Sequence, residues 1–409
     1  RALSATEAAM RLLLLLKAAA ALSSGALPPS AVYKPTQTGD RALSWRAALG
    51  VFAKLVKRRP AAAVVAGLLT QPLAAGITRD LLRTPDLAEP ASLLPDSNSR
   101  IVDTDPLEGV RIVTYEGRGA VAVHASHGFG STSESFQELL EALAAQSNVA
   151  SVIAHDHPGF GLTKRPSQRR KYMLGGDVAL ALTRNASSVV YVGHSMGAVS
   201  ATDAAVRAAE AGTRAALVLI APAIVAGRSI GPPSVKRRSA IARAVGAVTR
   251  LVVTRWPFRV LLRRLVLAKD FWPRGLGATY GERARQDTDQ LNAYAKRYAR
   301  AAGVLGWERG LLAFCAARLE QVLSALLTGD SIEARLARTL RSAYIPLDRV
   351  LVVNGVDDAL VPVANARRLV ENLKKSAPAA SVELVEIAGA GHCPHEEGDL
   401  SETIARFII

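Results

Sequence analysis

One serine in this sequence stands where a nucleophile can be made. Gly193-His194-Ser195-Met196-Gly197 is a G-x-S-x-G that follows the apolar run VVYVG and opens the Ala-rich stretch ending at Gly212. A buried strand before it and a helix after it require a sharp turn at Ser195. Gly193 and Gly197 permit that turn sterically, and the serine oxygen is lifted clear of the sheet. A serine hydroxyl is a weak nucleophile until a neighbouring base takes its proton. For a serine on such a turn, the acid and the histidine come from loops after later strands, in the chain order Ser, acid, His.

The histidine is therefore expected after the last strand, where the sequence reads AGAGHCPHEE. His392 follows Gly389-Ala390-Gly391 directly. His395 competes, but its place beside Glu396 and Glu397 suits a structural role, and His392 is preferred. The acid is expected after RVLVVNG, in Gly355-Val356-Asp357-Asp358. Either aspartate could reach. Asp358, three residues after the glycine and four before Pro362, is preferred, with Asp357 as a solvated or capping neighbour. An acyl-transfer site also needs two N–H donors where negative charge develops, each worth roughly 3 kcal/mol of barrier. Met196, next to the serine, supplies one. The other is expected from His127-Gly128-Phe129-Gly130, where Gly128 lets the backbone approach a substrate and Phe129 offers its N–H. The Phe129 ring would then line the acyl pocket.

Two rival readings lose weight on position. His124, His127, His155 and His157 have the H-x-x-H and H-x-H spacings that can ligate zinc. His127 and His157, however, belong to the two loops flanking the serine, so no metal is expected. Cys393 adjoins His392 but has no helix N-terminus of its own to activate it, and a small buried residue is the expected role. Neither a metal nor any other cofactor is implied.

These residues need a frame. RIVTYEG, AVAVHAS, SVIAHD, VVYVG, ALVLIAPAI, RVLVVNG and VELVEIA read as strands, with helical stretches such as Phe136–Ala145 among them. Apolar strands alternating with helices predict a parallel sheet covered on both faces. The alternation stops between Ile224 and Pro346, where long helical stretches carry most of the Tyr and Trp residues. That segment, residues 224–345, reads as a helical cap inserted between two strands of a core formed by residues 100–223 and 346–409.

In order and spacing, HGFG, DHPGFG, GHSMG, GVDDALVP and GAGHCPHEE resemble the α/β-hydrolase superfamily, over residues about 110–222 and 346–409. The segments HPGFGLTKRP, LIAPAI and GWERGLLAF are similar to cap-bearing α/β-hydrolases of plants and algae. The resemblance implies a mostly parallel sheet with helices on both faces and a cap. It also implies a serine hydrolase with Ser195, Asp358 and His392 as its triad. Dehalogenases and epoxide hydrolases of the superfamily carry Asp at the elbow, and Ser195 argues against both. The expected reaction is hydrolysis of a carboxylic ester of a hydrophobic or lipid substrate. Carbon–carbon bond hydrolysis, acyl transfer on the same triad, and a non-catalytic ligand-binding role are the alternatives.

Composition bounds the rest. With 49% hydrophobic and 21% charged residues in 409, disordered and collagen-like classes are excluded. Only 5% are aromatic, so the core must be mostly Ala, Leu and Val. The formal charge of +16 points to an anionic partner. No arrangement of aromatics resembles a nucleic-acid platform, so an anionic membrane surface is favoured and nucleic acid is not expected. From Arg228 to Arg274 there are twelve basic residues and one acid, Asp270, with Trp256 and Phe258 among them. Residues 1–99 form a basic leader whose run from Met10 resembles a signal sequence, and whose acid-poor composition also suits a transit peptide to an organelle such as a plastid. The apolar stretch Pro60–Thr78, interrupted by Pro72, is a weak candidate for a membrane span.

Overall fold

The computed structural model describes residue 94 and residues 98–224, 256–268, 270–328 and 331–408. The signal-like run from Met10 and the stretch Pro60–Thr78 lie outside them, as do residues 225–255 of the basic segment. The core is built in chain order from Ser99–Val102 (β1), Val110–Glu116 (β2), Val121–Ser126 (β3), Gln137–Ala144 (α1), Val149–His155 (β4), Gly175–Thr183 (α2), Ser188–His194 (β5), Gly197–Glu210 (α3) and Arg214–Ile220 (β6). Between β6 and β7 lie Trp256–Val266 (α4), Phe271–Gly277 (α5), Glu282–Gln286 (α6), Thr288–Arg300 (α7), Trp307–Thr328 (α8) and Ile332–Leu340 (α9). Leu347–Gly355 (β7), Val363–Ser376 (α10), Ser381–Ile387 (β8), Pro394–Glu397 (α11) and Ser401–Phe407 (α12) complete the chain.

The eight strands form one sheet in the order β1-β2-β4-β3-β5-β6-β7-β8. β1 pairs antiparallel with β2, and β2 antiparallel with β4; every other pair is parallel. Strand residues alternate between two apolar layers, as the period of two requires. Val189, Tyr191, Leu217, Leu219, Val350 and Val352 face one layer, and Val190, Val192, Val218, Ile220, Leu351 and Val353 the other. The first layer is closed by α3, whose Ala198, Ala201, Ala204, Ala205 and Ala208 let the helix lie close on the sheet. The second is closed by Leu139, Leu140 and Leu143 of α1 with Ile404 and Phe407 of α12.

Two boundaries differ from the sequence reading. β1, only four residues long, extends the sheet by an antiparallel edge that was not expected. β6 stops at Ile220 rather than running to Ile224, because Ala221 takes a left-handed φ of +44° and Pro222 follows. The freed Ala223 N–H instead donates to the Ser195 carbonyl at 3.0 Å.

The inserted helices are tied to the core through ion pairs and close backbone contact. On α7, Arg297 meets Glu138 at 2.6 Å and Arg300 meets Glu134 at 2.7 Å. On α8, Gly310 lies so near Gly159 that a Cβ on Gly310 would sit 2.6 Å from the Gly159 oxygen. Inside the insertion, the fully buried Glu308 holds Arg259 and Arg263 of α4 at 2.6 and 2.9 Å. The last helix, α9, packs on α3 and α10 and so belongs to the layer covering the sheet. Among the described residues, no helix is long and apolar enough to cross a membrane.

Candidate active site

Ser195 directly follows β5 with a φ of +51°, a left-handed conformation that costs a side-chain-bearing residue about 1–2 kcal/mol. Its neighbours compel it. Its N–H donates to the Ile220 carbonyl at 2.8 Å, and its own carbonyl accepts from Ala198 at 3.2 Å. A Cβ on Gly193 would lie 2.6 Å from the Ala198 Cα, and one on Gly197 would collide with the carbonyls of Ser126 and His127. Gly128 is equally constrained: its Cβ would meet His194 Nδ1 at 2.7 Å and the Ser195 Cβ at 3.3 Å. Bare backbone at these three positions is what brings β3, β5 and α3 together around the serine.

The structure brings Ser195, His392 and Asp358 into one hydrogen-bonded chain. His392 Nε2 is 2.9 Å from Ser195 Oγ, and its Nδ1 is 2.8 Å from Asp358 Oδ2. The other carboxylate oxygen, Oδ1, accepts from the Leu360 and Val361 N–H groups, each at 2.8 Å. Since Asp358 can only accept there when ionised, Nδ1 carries the proton and Nε2 presents its lone pair to the serine hydroxyl. All three residues are buried. Asp357 is exposed and uses only its N–H, which donates to Ala390 at 3.0 Å. His395 does not reach the serine. Its ring packs 4.8 Å from Phe136 and 4.4 Å from His194, neither nitrogen has a hydrogen-bond partner among the described residues, and burial lowers its pKa to about 3.

The loop carrying His392 is wedged between the end of β7 and the insertion. Its N–H donates to the Thr279 carbonyl at 2.7 Å. A Cβ on Gly391 would strike Thr279, and one on Gly355 would strike Gly391. Beside the serine, the N–H groups of Phe129 and Met196 have no intramolecular acceptor among the described residues. Met196 immediately precedes α3, whose aligned peptide dipoles favour negative charge at that end. The Phe129 ring lies 5.7 Å from Phe160 and 6.4 Å from Phe314, in an apolar cluster completed by Met196 and by Leu311 of α8. Two backbone donors without an acceptor among the described residues thus adjoin the serine and the Gly128 backbone that packs on it, with apolar surface alongside.

The remaining histidines serve each other. His127 donates through Nδ1 to the Gly128 carbonyl at 2.7 Å and accepts at Nε2 from the His157 N–H at 2.9 Å, tying the two loops. His124 Nε2 and His155 Nδ1 are 3.0 Å apart, and burial drops His124 to about 3. No group of three or more His, Cys, Asp or Glu among the described residues is arranged to hold a metal. Both cysteines are free thiols, and burial pushes Cys393 far above its ordinary range.

Several charged residues at the site were not singled out in the sequence. Arg111, wholly buried, reaches Ser99 at 2.8 Å, Asp156 at 3.3 Å, Glu134 at 3.4 Å and the Ser133 hydroxyl. Asp156 in turn accepts from the Ser133 and Leu162 N–H groups at 2.8 and 2.7 Å, and Arg111 holds its carboxyl below the usual range although burial opposes this. The network locks the loops after β3 and β4. Glu396 and Glu397 act similarly on the histidine loop. Asp156 had a local signal as the first residue of DHPGFG, and Glu396 and Glu397 as the end of GAGHCPHEE, whereas Arg111 and Glu134 had none.

A mostly parallel eight-stranded sheet with a left-handed serine at a strand-to-helix turn is the architecture of the α/β-hydrolase fold. Residues 120–405 match the model of the alpha/beta hydrolase family. The chain belongs to that family and is a hydrolase. Among solved structures it is similar to a thermophilic esterase from Thermogutta terrifontis, at 18% identity over 76% of this chain and 96% of that one, with a TM-score of 0.48. It is also similar to the N-formylmaleamic acid deformylase of Pseudomonas putida S16 (17% identity, 75% and 99% coverage, TM-score 0.46). A third is the 2-hydroxy-6-oxo-6-phenylhexa-2,4-dienoate hydrolase of a Rhodococcus species (20% identity, 73% and 92% coverage, TM-score 0.43). No curated protein matches the chain significantly.

Proposed function

We propose that the protein is a serine esterase acting on hydrophobic esters. The observation that carries this reading is the unbroken chain from Ser195 Oγ through His392 to Asp358, at 2.9 and 2.8 Å. Ser195 attacks the ester carbonyl as its proton passes to His392 Nε2, and Asp358 stabilises the imidazolium. The tetrahedral oxyanion takes hydrogen bonds from the Phe129 and Met196 N–H groups. Collapse breaks the bond to the alcohol, which leaves with the proton from His392. Water, deprotonated by the same nitrogen, then attacks the acyl-enzyme and releases the carboxylic acid. The apolar cluster of Phe129, Phe160, Phe314 and Leu311 supports a hydrophobic acyl group, and the helices between β6 and β7 act as the cap. A fluorophosphonate probe tests the reading: the wild type should label and Ser195→Ala should not. A wild type that resists labelling ends it. Activated esters should be turned over, with Ser195→Ala reducing kcat by ~10⁴-fold or more.

We further propose that the cap meets an anionic membrane surface. The twelve basic residues against one acid between Arg228 and Arg274 motivate this, with Leu267 and Leu305 exposed by 51% and 56% in turns of the insertion. Each basic residue near such a surface contributes ~1 kcal/mol. The full chain should float with vesicles containing anionic lipid at low salt and less so at high salt. Flotation unaffected by Leu267→Asp with Leu305→Asp would remove the cap from the contact.

A further inference from the structure

The carboxyl of Glu396 is buried and takes no part in the steps above. Its Oε2 accepts from the Tyr280 hydroxyl at 2.6 Å and its Oε1 from the Tyr298 hydroxyl at 2.8 Å. Both tyrosines belong to the insertion, whereas Glu396 lies in α11, four residues after His392. Two residues beyond Tyr298 on α7, Arg300 pairs at 2.7 Å with Glu134, which follows the loop that carries Phe129. Ser131 closes the loop that carries Phe129, its N–H donating to the Gly128 carbonyl at 3.3 Å. The helix α7 therefore stands between the loop of His392 and the loop of Phe129. Glu397 adds a parallel tie, accepting from Gly391 at 2.9 Å and Cys393 at 3.1 Å on the histidine loop and from Gly281 of the insertion at 2.6 Å.

We infer that Glu396 is a positioning residue: clamped between Tyr280 and Tyr298, its carboxylate holds the His392 and Phe129 loops in register and makes the insertion part of the catalytic frame. The inference rests on the serine-hydrolase reading. An ionised carboxylate only accepts, so it satisfies two donating hydroxyls at once. Once protonated it donates its own hydrogen to one phenol oxygen, so that bond reverses and both bonds lose the charge assistance that makes them strong. Burial outweighs the two hydroxyls and raises the Glu396 carboxyl to about 7, with Glu138 of α1 and the adjacent Glu397 pushing the same way. The Cys393 thiol and Tyr294 of α7 are the other titratable groups facing it. The clamp is strongest above that value and weakens as pH falls through it.

Full-length wild type, Tyr298→Phe, Glu396→Gln and Ser195→Ala should be compared for fluorophosphonate labelling rate, and for kcat and KM on a p-nitrophenyl ester across the neutral range. Among the described residues, none of the clamp side chains hydrogen-bonds to Ser195, His392 or Asp358. Tyr298→Phe and Glu396→Gln should each lower kcat and the labelling rate by ~10-fold, with KM within ~2-fold of wild type. In Tyr298→Phe the carboxyl loses a donor, so the acid limb of the rate profile should move to higher pH. In Glu396→Gln that limb should reduce to a single ionisation. Wild-type rates with an unmoved limb, or a rise in KM alone, would overturn the inference. Tyr298→Phe keeps the ring in place and decides the matter should Glu396→Gln not fold. If the wild type labels and both variants match it, only the clamp fails. If the wild type does not label, the hydrolase reading fails, and the imidazole nitrogen NMR signals of His392 then decide. Their chemical shifts should move in Tyr298→Phe, and unmoved chemical shifts overturn the clamp.

Discussion

Replacing Asp358 by Asn changes one atom, and the structure fixes which way the new amide must turn. Oδ1 of Asp358 accepts from two backbone donors, Leu360 and Val361, each at 2.8 Å. An amide nitrogen there would face two N–H groups with no acceptor between them, so the asparagine oxygen takes that side. Its NH2 then points at His392 Nδ1, where the wild-type carboxylate oxygen stands at 2.8 Å. A donor facing Nδ1 requires Nδ1 to be the lone-pair nitrogen, so the proton moves to Nε2. Nε2 is the atom 2.9 Å from Ser195 Oγ that must receive the serine proton. The wrong tautomer and the lost stabilisation of the imidazolium together should lower kcat on an activated ester by ~10⁴-fold, about 5 kcal/mol of barrier. The fold should be unaffected, because the backbone donors keep their acceptor. Asp357→Asn is the control: that side chain is exposed and should leave kcat within ~2-fold. Steady-state kinetics with circular dichroism melting on each variant suffices. An Asp358→Asn enzyme retaining a tenth of wild-type kcat would refute the tautomer argument, and a larger loss in Asp357→Asn would show that the acid is one residue earlier.

Two further outcomes follow from buried backbone and buried rings. Gly197→Ala would drive a methyl group into the carbonyls of Ser126 and His127, so it should lower the melting temperature and cost about 2 kcal/mol or more of stability, readable in urea unfolding; an unchanged midpoint would mean the elbow has room. His395 has a folded pKa of about 3, below its unfolded value of 6.5, so the unfolded chain binds the proton first as pH falls. Its stabilising contribution is full above 6.5 and is lost progressively towards 3. His395→Leu should therefore melt close to wild type at neutral pH but withstand mild acid better, and an equal acid sensitivity would assign the loss to other groups.

What was legible in the sequence was what a short stretch of chain decides. GHSMG between an apolar strand and an Ala-rich helix locates Ser195. A parallel sheet puts its functional loops at one edge, so GVDDALVP and GAGHCPHEE could be read as sources of the acid and the histidine before their distances were known. The apolar runs also marked strands covered on both faces, which the structure divides into Val189 and Tyr191 on one side and Val190 and Val192 on the other. Ala221 shows where such reading stops. Nothing in ALVLIAPAI marks a left-handed residue; the turn is imposed by the Ala221 N–H reaching the Val353 carbonyl on β7 at 2.7 Å, and by Ala223 meeting Ser195. The β1 edge, four residues with an exposed Arg100, has no period long enough to register.

The charged frame of the site illustrates the deeper reason. Arg111 opens a strand in sequence and looks like an ordinary surface residue at a strand end. Its burial makes sense only once Asp156, Glu134 and Ser133 converge on it, across separations of 45, 23 and 22 residues. Placing a guanidinium out of water costs several kcal/mol unless such partners are in place, so the arginine cannot be buried until the loops after β3 and β4 have formed. The same holds for Glu396, whose partners Tyr280 and Tyr298 are 116 and 98 residues away in the insertion. The residues expected to do chemistry are thus local in sequence, whereas those that hold them at 2.9 and 2.8 Å come from distant segments. Such partners differ in kind from a motif: any carboxylate with two hydroxyl donors could serve, so residue type alone does not mark them. Only the fold selects which carboxylate it is, and in this chain the selection ties the catalytic histidine's loop to the inserted helices rather than to the sheet alone.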